Sequence, residues 1–383
     1  MRTILTGNRI LQPGGAVVSG SLIIEDGRIA ALEPVRFGPG EVEGRHIDAG
    51  DRWVCPGLID VHIHGAVGVD SMQAASPDGL EAMARFLAGR GVTAFLPTTM
   101  TAPAEDILRV LQALAGCTPK PGESEVLGVH VEGPYISPSR AGAQPPEWIR
   151  RPDPAEYAAW FETGAVRLMT VAPELPGALD LIRYGVQRGT QFALGHSEAS
   201  PEQVRAAVEA GANQATHTFN AMPGLHHREP GILGAVLTDD RVFAQTIADG
   251  AHLHPIIVDL ITRLKGTRGT LLVTDAMQAA GLPDGDYHLG SEPVFVRGGI
   301  ARNARGALAS STLTLDQAVK NVVAFTGLSF ERVAPMASET PARSLGLFPR
   351  KGALLPGSDA DIVVFNEDLA VERVILRGEV LES

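Results

Sequence analysis

The chain has little cysteine and no long apolar run, and each of these absences excludes some classes of protein. Of its 383 residues only Cys55 and Cys117 are cysteine, too few for a disulfide framework or a thiolate metal cage. No run of roughly 18 apolar residues occurs, and the start lacks the basic, apolar and small-residue segments of a signal peptide. We therefore expect a cytoplasmic protein whose metal ions, if any, are held by histidine and carboxylate side chains.

Positive charge is also scarce. The sequence has 32 Lys and Arg against 44 Asp and Glu, which gives a formal net charge of −12, and it contains no basic run. Nucleic acid and anionic membranes are bound through clustered positive charge, so neither is expected as a partner. An anionic substrate would need a local positive pocket.

What is present suits one large domain with a small accessory domain. A chain of 383 residues with 44% hydrophobic residues can bury a large core. Residues 1–53 and 344–383 contain short alternating stretches, such as SLIIEDGRIAAL, that are typical of β-hairpins. Neither end offers a long amphipathic helix that could close a core of its own. We predict one small β-sandwich domain built from both termini.

The central segment, 54–343, alternates strand-like and helical runs, which is typical of parallel βα units. Ser200 and Gln203 form a capping-box signal for a helix that ends at Gly211. A hairpin insertion is expected within 276–312, before a helix at TLDQAVKNVVAF. Eight runs predict strands, at 54–61, 92–97, 125–131, 167–172, 191–195, 213–217, 244–248 and 271–274. The prediction is an α/β fold, a closed (β/α)8 barrel of the TIM type.

Residues suited to metal binding or acid–base chemistry recur at the predicted strand ends, where barrel enzymes carry their catalytic groups. In His62-Ile63-His64 the strand periodicity places both imidazoles on the same side. A lone HxH motif is usually incidental, but similar residues end several other strands. The complete set is His62, His64, Glu132, His196, His217 and Asp275.

Glu132, His196 and His217 would supply three protein ligands, the number that leaves a catalytic metal open to water or substrate. Each alone could be a surface carboxylate or a core histidine. Asp275 ends the most hydrophobic strand. We predict that it is the general base that takes a proton from water and returns it to a leaving amine. Its alternative role is to cap the following helix.

His226-His227-Arg228 is the most concentrated cationic cluster in this acidic chain. The planar guanidinium of Arg228 suits phosphate, and the neighbouring imidazoles can donate as well. A solvated loop is the alternative. His252, in DGAHLHP, is a further histidine that could face the barrel mouth.

Several motifs together resemble one known family. VCPGLIDVHIHG, HVEGPY, GHS, THTFNAMPGLHHREPG, IADGAHLHP, TDAMQAAGLPDG and GALASSTLTLDQAVKN, in this order, are similar to the N-acetylglucosamine-6-phosphate deacetylases of the amidohydrolase superfamily. PGLIDVHIHG marks only the superfamily, whereas FNAMPGLHHREPG and TDAMQAAGLPDG are specific to the deacetylases. The resemblance covers nearly the whole barrel.

The resemblance implies hydrolysis of N-acetylglucosamine 6-phosphate to glucosamine 6-phosphate and acetate, in amino-sugar catabolism. Glu132, His196 and His217 would hold the main divalent ion, His62 and His64 a second, and Asp275 would be the acid–base residue. Zinc is the first expectation, with iron, manganese and cobalt as alternatives. A homodimer would complete the site, because His227 and Arg228 are similar to a phosphate clamp supplied across the interface. The implied substrate contacts are Ala143, Gln144, Asn220, Ala221, His227, Arg228, His252, Leu308, Ala309 and Ser310.

One position departs from the family pattern. Gly142-Ala143-Gln144 stands where the family usually has a histidine as its third residue, so an amide replaces an imidazole that contacts substrate. Gln144 can form hydrogen bonds with a sugar hydroxyl but cannot be charged. Affinity or sugar preference could therefore differ.

Two other functions are compatible with parts of the pattern. Another amidohydrolase, acting on cyclic amides or N-acyl amino acids, would share HxH and the terminal β-domain. Many of those carry a carboxylated lysine between two metals, whereas Glu132 fills that position here. A non-catalytic barrel scaffold would be expected to lack ligands, and the sequence shows no such gap.

Overall fold

The strands and helices follow the apolar patterning across residues 2–73 and 76–381, which the computed structural model describes. In chain order the strands are β1 (Thr3–Gln12), β2 (Ala16–Glu25), β3 (Arg28–Glu33), β4 (Arg45–Asp48), β5 (Trp53–Pro56), β6 (Leu58–Ile63), β7 (Gly65–Ala66), β8 (Val69–Asp70), β9 (Val92–Thr99), β10 (Glu125–Val126), β11 (Val129–Glu132), β12 (Val166–Val171), β13 (Gln191–Leu194), β14 (Gln214–Ala215), β15 (Phe243–Ile247), β16 (Thr270–Val273), β17 (Gly285–Leu289), β18 (Glu292–Arg297), β19 (Ile300–Asn303), β20 (Ile362–Phe365), β21 (Val371–Leu376) and β22 (Glu379–Val380).

The helices alternate with the central strands. They are α1 (Glu81–Gly89), α2 (Ala104–Leu114), α3 (Pro154–Glu162), α4 (Ala178–Val186), α5 (Pro201–Ala210), α6 (Gly231–Thr238), α7 (Pro255–Gly269), α8 (Leu315–Thr326), α9 (Phe330–Val333) and α10 (Glu339–Ser344). Short 3₁₀ turns lie at Pro13–Gly15, Ser71–Gln73, Pro77–Leu80, Pro138–Arg140, Pro146–Trp148 and Ala334–Ala337. In the described part of the chain, no helix combines the length and apolarity that crossing a membrane requires.

Strands from both ends of the chain form one small sheet. Its eight strands run in the order β22-β21-β20-β5-β1-β2-β3, with β4 beside β1. A register shift between Gly7 and Ile10 divides β1, so that its first part pairs with β4 and its last part with β5. Leu5, Ile47 and Ile362 belong to one buried cluster, so both parts of this sheet share a core.

The predicted first barrel strand, 54–61, is wrong in one respect, because it combines two strands of different sheets. β5 pairs with β20 in the small sheet, while β6 pairs with β9 in the barrel. The chain passes between the sheets at Gly57, where a Cβ atom would lie 2.1 Å from Thr93 Oγ1. Both segments are buried and apolar, so hydrophobicity does not mark the change of sheet.

The (β/α)8 barrel is confirmed. Its parallel strands run in the order β6-β9-β11-β12-β13-β14-β15-β16, and β10 and β11 pair with successive parts of β9. The backbone N–H of Asp275 donates to His62 O at 2.8 Å, and that of His64 donates to Ala276 O at 2.8 Å, which joins the last strand end to the first. The carboxyl ends of all eight strands therefore open at one mouth.

Two local predictions also agree with the structure. The Ser200 hydroxyl accepts from the Gln203 N–H and the Gln203 side chain accepts from the Ser200 N–H, while Gly211 ends α5 with φ of 117°. The insertion after the eighth strand is a three-stranded antiparallel sheet, β17–β19, and α8 follows it. Leu289 and Val294 of this insertion pack in one cluster with Met100, so the insertion covers part of the barrel mouth.

Candidate active site

Five residues at or near the carboxyl ends of barrel strands meet at the mouth. We call His62, His64, Glu132, His196 and His217 the ligand cluster; all five are buried. Glu132 Oε1 lies 3.4 Å from His62 Nε2, 3.4 Å from His196 Nε2 and 3.1 Å from His217 Nε2. Glu132 Oε2 lies 3.2 Å from His64 Nε2. Glu132 is thus the centre on which four imidazoles converge.

The donor set fits one or two divalent cations. Two groups, His62–His64–Glu132 and Glu132–His196–His217, have ligand atoms within 4.8 Å of one another. Among the described residues, no group forms a hydrogen bond with the buried Glu132 Oε1, although three imidazole nitrogens face it. Burying an unpaired carboxylate oxygen costs free energy, whereas a shared cation would satisfy both the oxygen and the nitrogen lone pairs.

Asp275 completes the arrangement from the last barrel strand. Its Oδ1 lies 3.3 Å from His64 Nε2 and 3.5 Å from His62 Nε2, and it accepts a hydrogen bond from Ser310 Oγ at 3.1 Å. The Ser310 contact orients the carboxylate toward the cluster. The predicted helix-capping role does not describe these contacts, since the carboxylate faces the imidazoles.

The pKa shifts in the ligand cluster and at Asp275 favour a bound cation. Burial raises the pKa of Glu132, but the facing imidazoles, His62 foremost, outweigh it and hold that pKa well below its usual range. Burial also raises the pKa of Asp275, but His62 and His64 outweigh burial and lower this pKa overall. Burial lowers the pKa of His64, yet Asp275 and Glu132 raise it to about 10. Both carboxylates are therefore ionised at neutral pH, and their charge favours a cation beside them.

Backbone strain coincides with the same residues. His196, His217 and Asp275 have φ of 47°, 26° and 48°, in the left-handed region that residues with a side chain rarely adopt. Each lies two residues beyond the end of a barrel strand and turns its side chain toward the common centre. Such strain persists where the surrounding structure enforces it, and it is commonest at functional sites.

A cavity of about 190 Å³ opens above Asp275 and all of the ligand cluster except His62. Most of the predicted substrate contacts line it: Ala143, Gln144, Asn220, Ala221, His252, Leu308 and Ser310. Three residues that sequence reasoning did not single out for the site, Met100, Gly142 and Leu289, also line it. Met100 and Leu289 are apolar, so no chemical signal in the sequence marks them. Met100 directly follows β9, whereas Leu289 reaches the site through the folding of the insertion.

Three predicted contacts lie elsewhere. His227 and Arg228 are exposed and do not line the cavity of their own chain, and Arg228 Nη1 donates to His227 Nε2 at 2.7 Å. Ala309 does not line the cavity but is buried in one cluster with Met277, and its backbone N–H donates to Ala301 O. Ala309 is therefore a packing residue of the insertion in this structure.

His252 is held in place by a carboxylate. Its Nδ1 lies 2.7 Å from Asp249 Oδ2. Burial lowers the pKa of His252, but Asp249 outweighs this effect and raises it. Since Nδ1 is taken, Nε2 is the nitrogen left for a ligand in the cavity.

Gln144 has a more defined role than a sugar contact alone. Its Oε1 accepts from the Thr101 backbone N–H at 2.7 Å, and its Nε2 donates to Glu132 Oε2 at 2.8 Å. The amide therefore links the central carboxylate to the loop after β9. One N–H remains free to face the cavity.

This fold and site define a class, a barrel hydrolase whose buried histidines and carboxylates suit metal ions at the mouth. Comparison with known proteins narrows it. The amidohydrolase family model matches residues 53–381. An N-acetylgalactosamine-6-phosphate deacetylase of Escherichia coli O157:H7 is 42% identical over 99% of both chains. An N-acetylglucosamine-6-phosphate deacetylase of Vibrio furnissii is 42% identical over 93% of this chain and 89% of its own.

A solved structure agrees with these relatives. An aspartate-to-alanine mutant of the Mycobacterium smegmatis N-acetyl-D-glucosamine-6-phosphate deacetylase, in complex with N-acetyl-D-glucosamine-6-phosphate, superposes with a TM-score of 0.91 and 36% identity over 100% of both chains. The chain belongs to the N-acetylglucosamine-6-phosphate deacetylase family of the amidohydrolase superfamily. The family resemblance of the sequence motifs is thereby confirmed.

Proposed function

We propose that this protein removes acetate from N-acetylglucosamine 6-phosphate by hydrolysis, giving glucosamine 6-phosphate. The observation that carries the proposal is the cavity above Glu132, His64, His196, His217 and Asp275. It is large enough for an amino sugar's acetamide group and places an ionised carboxylate beside the ligand cluster. The family of its full-length relatives supports the same reaction.

The ligand cluster would hold the metal. Glu132, His196 and His217 would bind one divalent ion, and His62, His64 and Glu132 a second; zinc is the ion we expect first. When bound, such an ion supplies Lewis-acid chemistry that makes water more acidic and the amide carbonyl more electrophilic.

Asp275 would carry the proton. Its carboxylate is ionised, faces the cavity and is oriented by Ser310, so it can accept a proton from the attacking water. It would then return that proton to the sugar nitrogen as the C–N bond breaks. His252 and Asn220 line the same cavity, and their side chains would hold substrate oxygens.

The phosphate would be bound with help from a second protomer. Among the described residues, no Arg or Lys lines the cavity, while Arg228 is exposed on the loop after β14. We propose a homodimer in which His227 and Arg228 reach the neighbour's cavity. Association through a two-fold interface would give each site one such loop.

The proposed dimer predicts complementation between two defective variants. Arg228→Ala should raise KM for the phosphorylated sugar, and Asp275→Asn should lower kcat by about 10²- to 10⁴-fold. In randomly mixed dimers about a quarter of all sites combine an intact Asp275 with a partner's Arg228. Activity recovered near that fraction after co-refolding supports the shared site, and no recovery contradicts it.

The sugar itself could be either of two epimers. The Escherichia coli relative is named for the galactosamine substrate and the Vibrio relative for the glucosamine substrate, and both are 42% identical to this chain. N-Acetylgalactosamine 6-phosphate, which differs at C4, is therefore the second candidate substrate. We place the reaction in the cytoplasm, in keeping with two unpaired cysteines.

The test is acetate release by zinc-loaded protein from three sugars: N-acetylglucosamine 6-phosphate, its galacto epimer, and unphosphorylated N-acetylglucosamine. We expect rapid release from the first and little from the third. A preference for the epimer would change the substrate and keep the reaction. No release from either phosphate, with metal content measured on the same sample, would contradict the proposed function.

A further inference from the structure

A line of buried polar side chains crosses the barrel interior from the ligand cluster to its opposite end. His62 Nδ1 lies 3.0 Å from Gln245 Oε1, and Gln245 Nε2 donates to Gln214 Oε1 at 3.0 Å. Gln214 Nε2 donates to Ser344 Oγ at 3.3 Å, and Ser344 Oγ donates to Pro341 O at 2.9 Å. These four side chains, from His62 to Ser344, are buried, so each depends on the next for its hydrogen bonds.

The direction of the hydrogen bonds is fixed at one end by a carbonyl. Pro341 O can only accept, so the Ser344 hydroxyl donates to it and offers only lone pairs to Gln214. Gln214 must therefore present its amide nitrogen to Ser344 and its oxygen to Gln245. It follows that Gln245 turns its nitrogen toward Gln214 and its oxygen toward His62.

The other end fixes the same direction independently. The backbone N–H of His217 lies 3.4 Å from Gln245 Oε1 and can only donate. An amide nitrogen of Gln245 in that place would face this N–H donor to donor. Amide orientations are assigned from such networks, and here both ends require the same one.

We propose that Gln245 is a positioning residue that holds His62 in the tautomer required of a metal ligand. Because Gln245 offers an oxygen, His62 Nδ1 carries the proton, which leaves the lone pair on Nε2. His62 Nε2 points to Glu132 Oε1 and lies 3.3 Å from His64 Nε2. This inference rests on the proposed metal site at His62 and His64.

Gln245 supports the two halves of the ligand cluster differently, because its Oε1 accepts from the imidazole Nδ1 of His62 at 3.0 Å but only from the backbone N–H of His217, at 3.4 Å. His196 Nδ1 donates to Arg140 O at 2.7 Å, which fixes the tautomer of a ligand in the Glu132–His196–His217 group without Gln245. Removing the Gln245 oxygen should therefore weaken the ion at His62 and His64 more than its neighbour. Loss of such a supporting hydrogen bond typically weakens metal affinity about 10- to 100-fold.

The experiment measures zinc bound per chain and the affinity for each ion, by equilibrium dialysis with elemental analysis. Gln245→Leu removes all three side-chain hydrogen bonds, to His62, Gln214 and the His217 N–H, and Gln245→Asn keeps an amide but withdraws it by one methylene. Gln245→Glu keeps an acceptor for His62. The matched control is Thr246→Val, a buried neighbour on β15 whose hydroxyl donates to Ala244 O at 3.0 Å.

We expect Gln245→Leu and Gln245→Asn to lose affinity for one ion by about 10- to 100-fold and to retain the other. Gln245→Glu should retain both ions because it keeps the acceptor for His62, while the loss of the donor to Gln214 should lower its free energy of unfolding. Thr246→Val should bind both ions as the wild type does. Unchanged affinities in the Leu and Asn variants, or an equal loss in Thr246→Val, would overturn the proposal, as would a wild type that binds a single ion. Wild-type protein that binds two zinc ions but releases no acetate would contradict the proposed function alone.

Discussion

Two clusters of this protein, one buried and one partly buried, look alike as potential cation sites and differ in what balances their charge. One is the ligand cluster. The other, which we call the lysine cluster, joins Glu125, Asp359 and Asp361, whose oxygens also lie within 4.8 Å of one another. Lys351 Nζ lies 2.6 Å from Glu125, 2.8 Å from Asp361 and 3.2 Å from Asp359.

The difference separates a structural site from a functional one. The lysine cluster contains its own cation, the ammonium group of Lys351. It links Asp359 and Asp361, which lie beside β20 of the small sheet, to Glu125 of β10, the short strand that pairs with β9. The ligand cluster has imidazoles in place of an ammonium group and leaves Glu132 Oε1 without a hydrogen bond among the described residues. Acidic residues close together indicate an ion site only when no side chain already neutralises them.

The largest expected effect lies beside the ligand cluster. Asp275→Asn keeps the shape of the side chain but removes its ability to accept a proton, so kcat should fall by about 10²- to 10⁴-fold. Zinc content should remain near wild type, because the ligand cluster is intact. Acetate release and elemental analysis on one sample test both points, with exposed Asp240→Asn as the control. Full turnover in Asp275→Asn would remove its acid–base role.

In the lysine cluster the corresponding change should affect stability and spare catalysis. Lys351→Met keeps the apolar stem but leaves three carboxylates without their ammonium, which should cost about 3–5 kcal/mol of unfolding free energy. Denaturant unfolding measures this, and kcat of the folded fraction should be unchanged. Adding Glu125→Gln and Asp361→Asn should restore part of the loss. A variant as stable as the wild type would show that the cluster contributes nothing.

The pH dependence of this effect follows from the pKa of Lys351. Burial lowers that pKa, but Asp361 and Glu125 outweigh it and raise it above the ordinary value. A raised lysine pKa stabilises the fold fully below the unfolded value, and this contribution is lost as pH rises through the folded one. The deficit of Lys351→Met should therefore stay constant between about pH 7 and pH 9. A deficit that shrinks within this range would contradict the assignment.

Metal removal distinguishes the clusters directly. Chelation should abolish acetate release and lower the free energy of unfolding by about 2.7 kcal/mol if free zinc had been near 100 times its Kd. Glu125→Gln should leave zinc content unchanged, whereas Glu132→Gln should lower it. Equal zinc loss in both variants would mean that the lysine cluster also binds metal.

The sequence predicted the ligand cluster better than the lysine cluster, and the reason is geometric. His62, Glu132, His196 and Asp275 each lie at or just beyond the carboxyl end of a strand of a parallel barrel, so a correct strand map alone gathers them at one mouth. Glu125 and Lys351 are linked by no such rule, because their contact depends on how the small sheet docks. The passage between sheets at Gly57 and the hydrogen bonds of Gln245 were missed for the same reason, since each depends on side chains distant in sequence.

The smallest expected effect concerns Gln144, which donates to Glu132 Oε2 and so gives the ligand cluster a neutral hydrogen bond where the lysine cluster has a charge. In Gln144→His, the shorter imidazole can replace one of the amide's two hydrogen bonds, to Glu132 or to the Thr101 N–H. The net loss should be about 0.5–1.5 kcal/mol, a roughly 2- to 13-fold fall in kcat/KM. Gln144→Leu, which keeps neither bond, should fall further. If Gln144→His is faster than the wild type on either epimer, the amide serves sugar selection instead of support for Glu132.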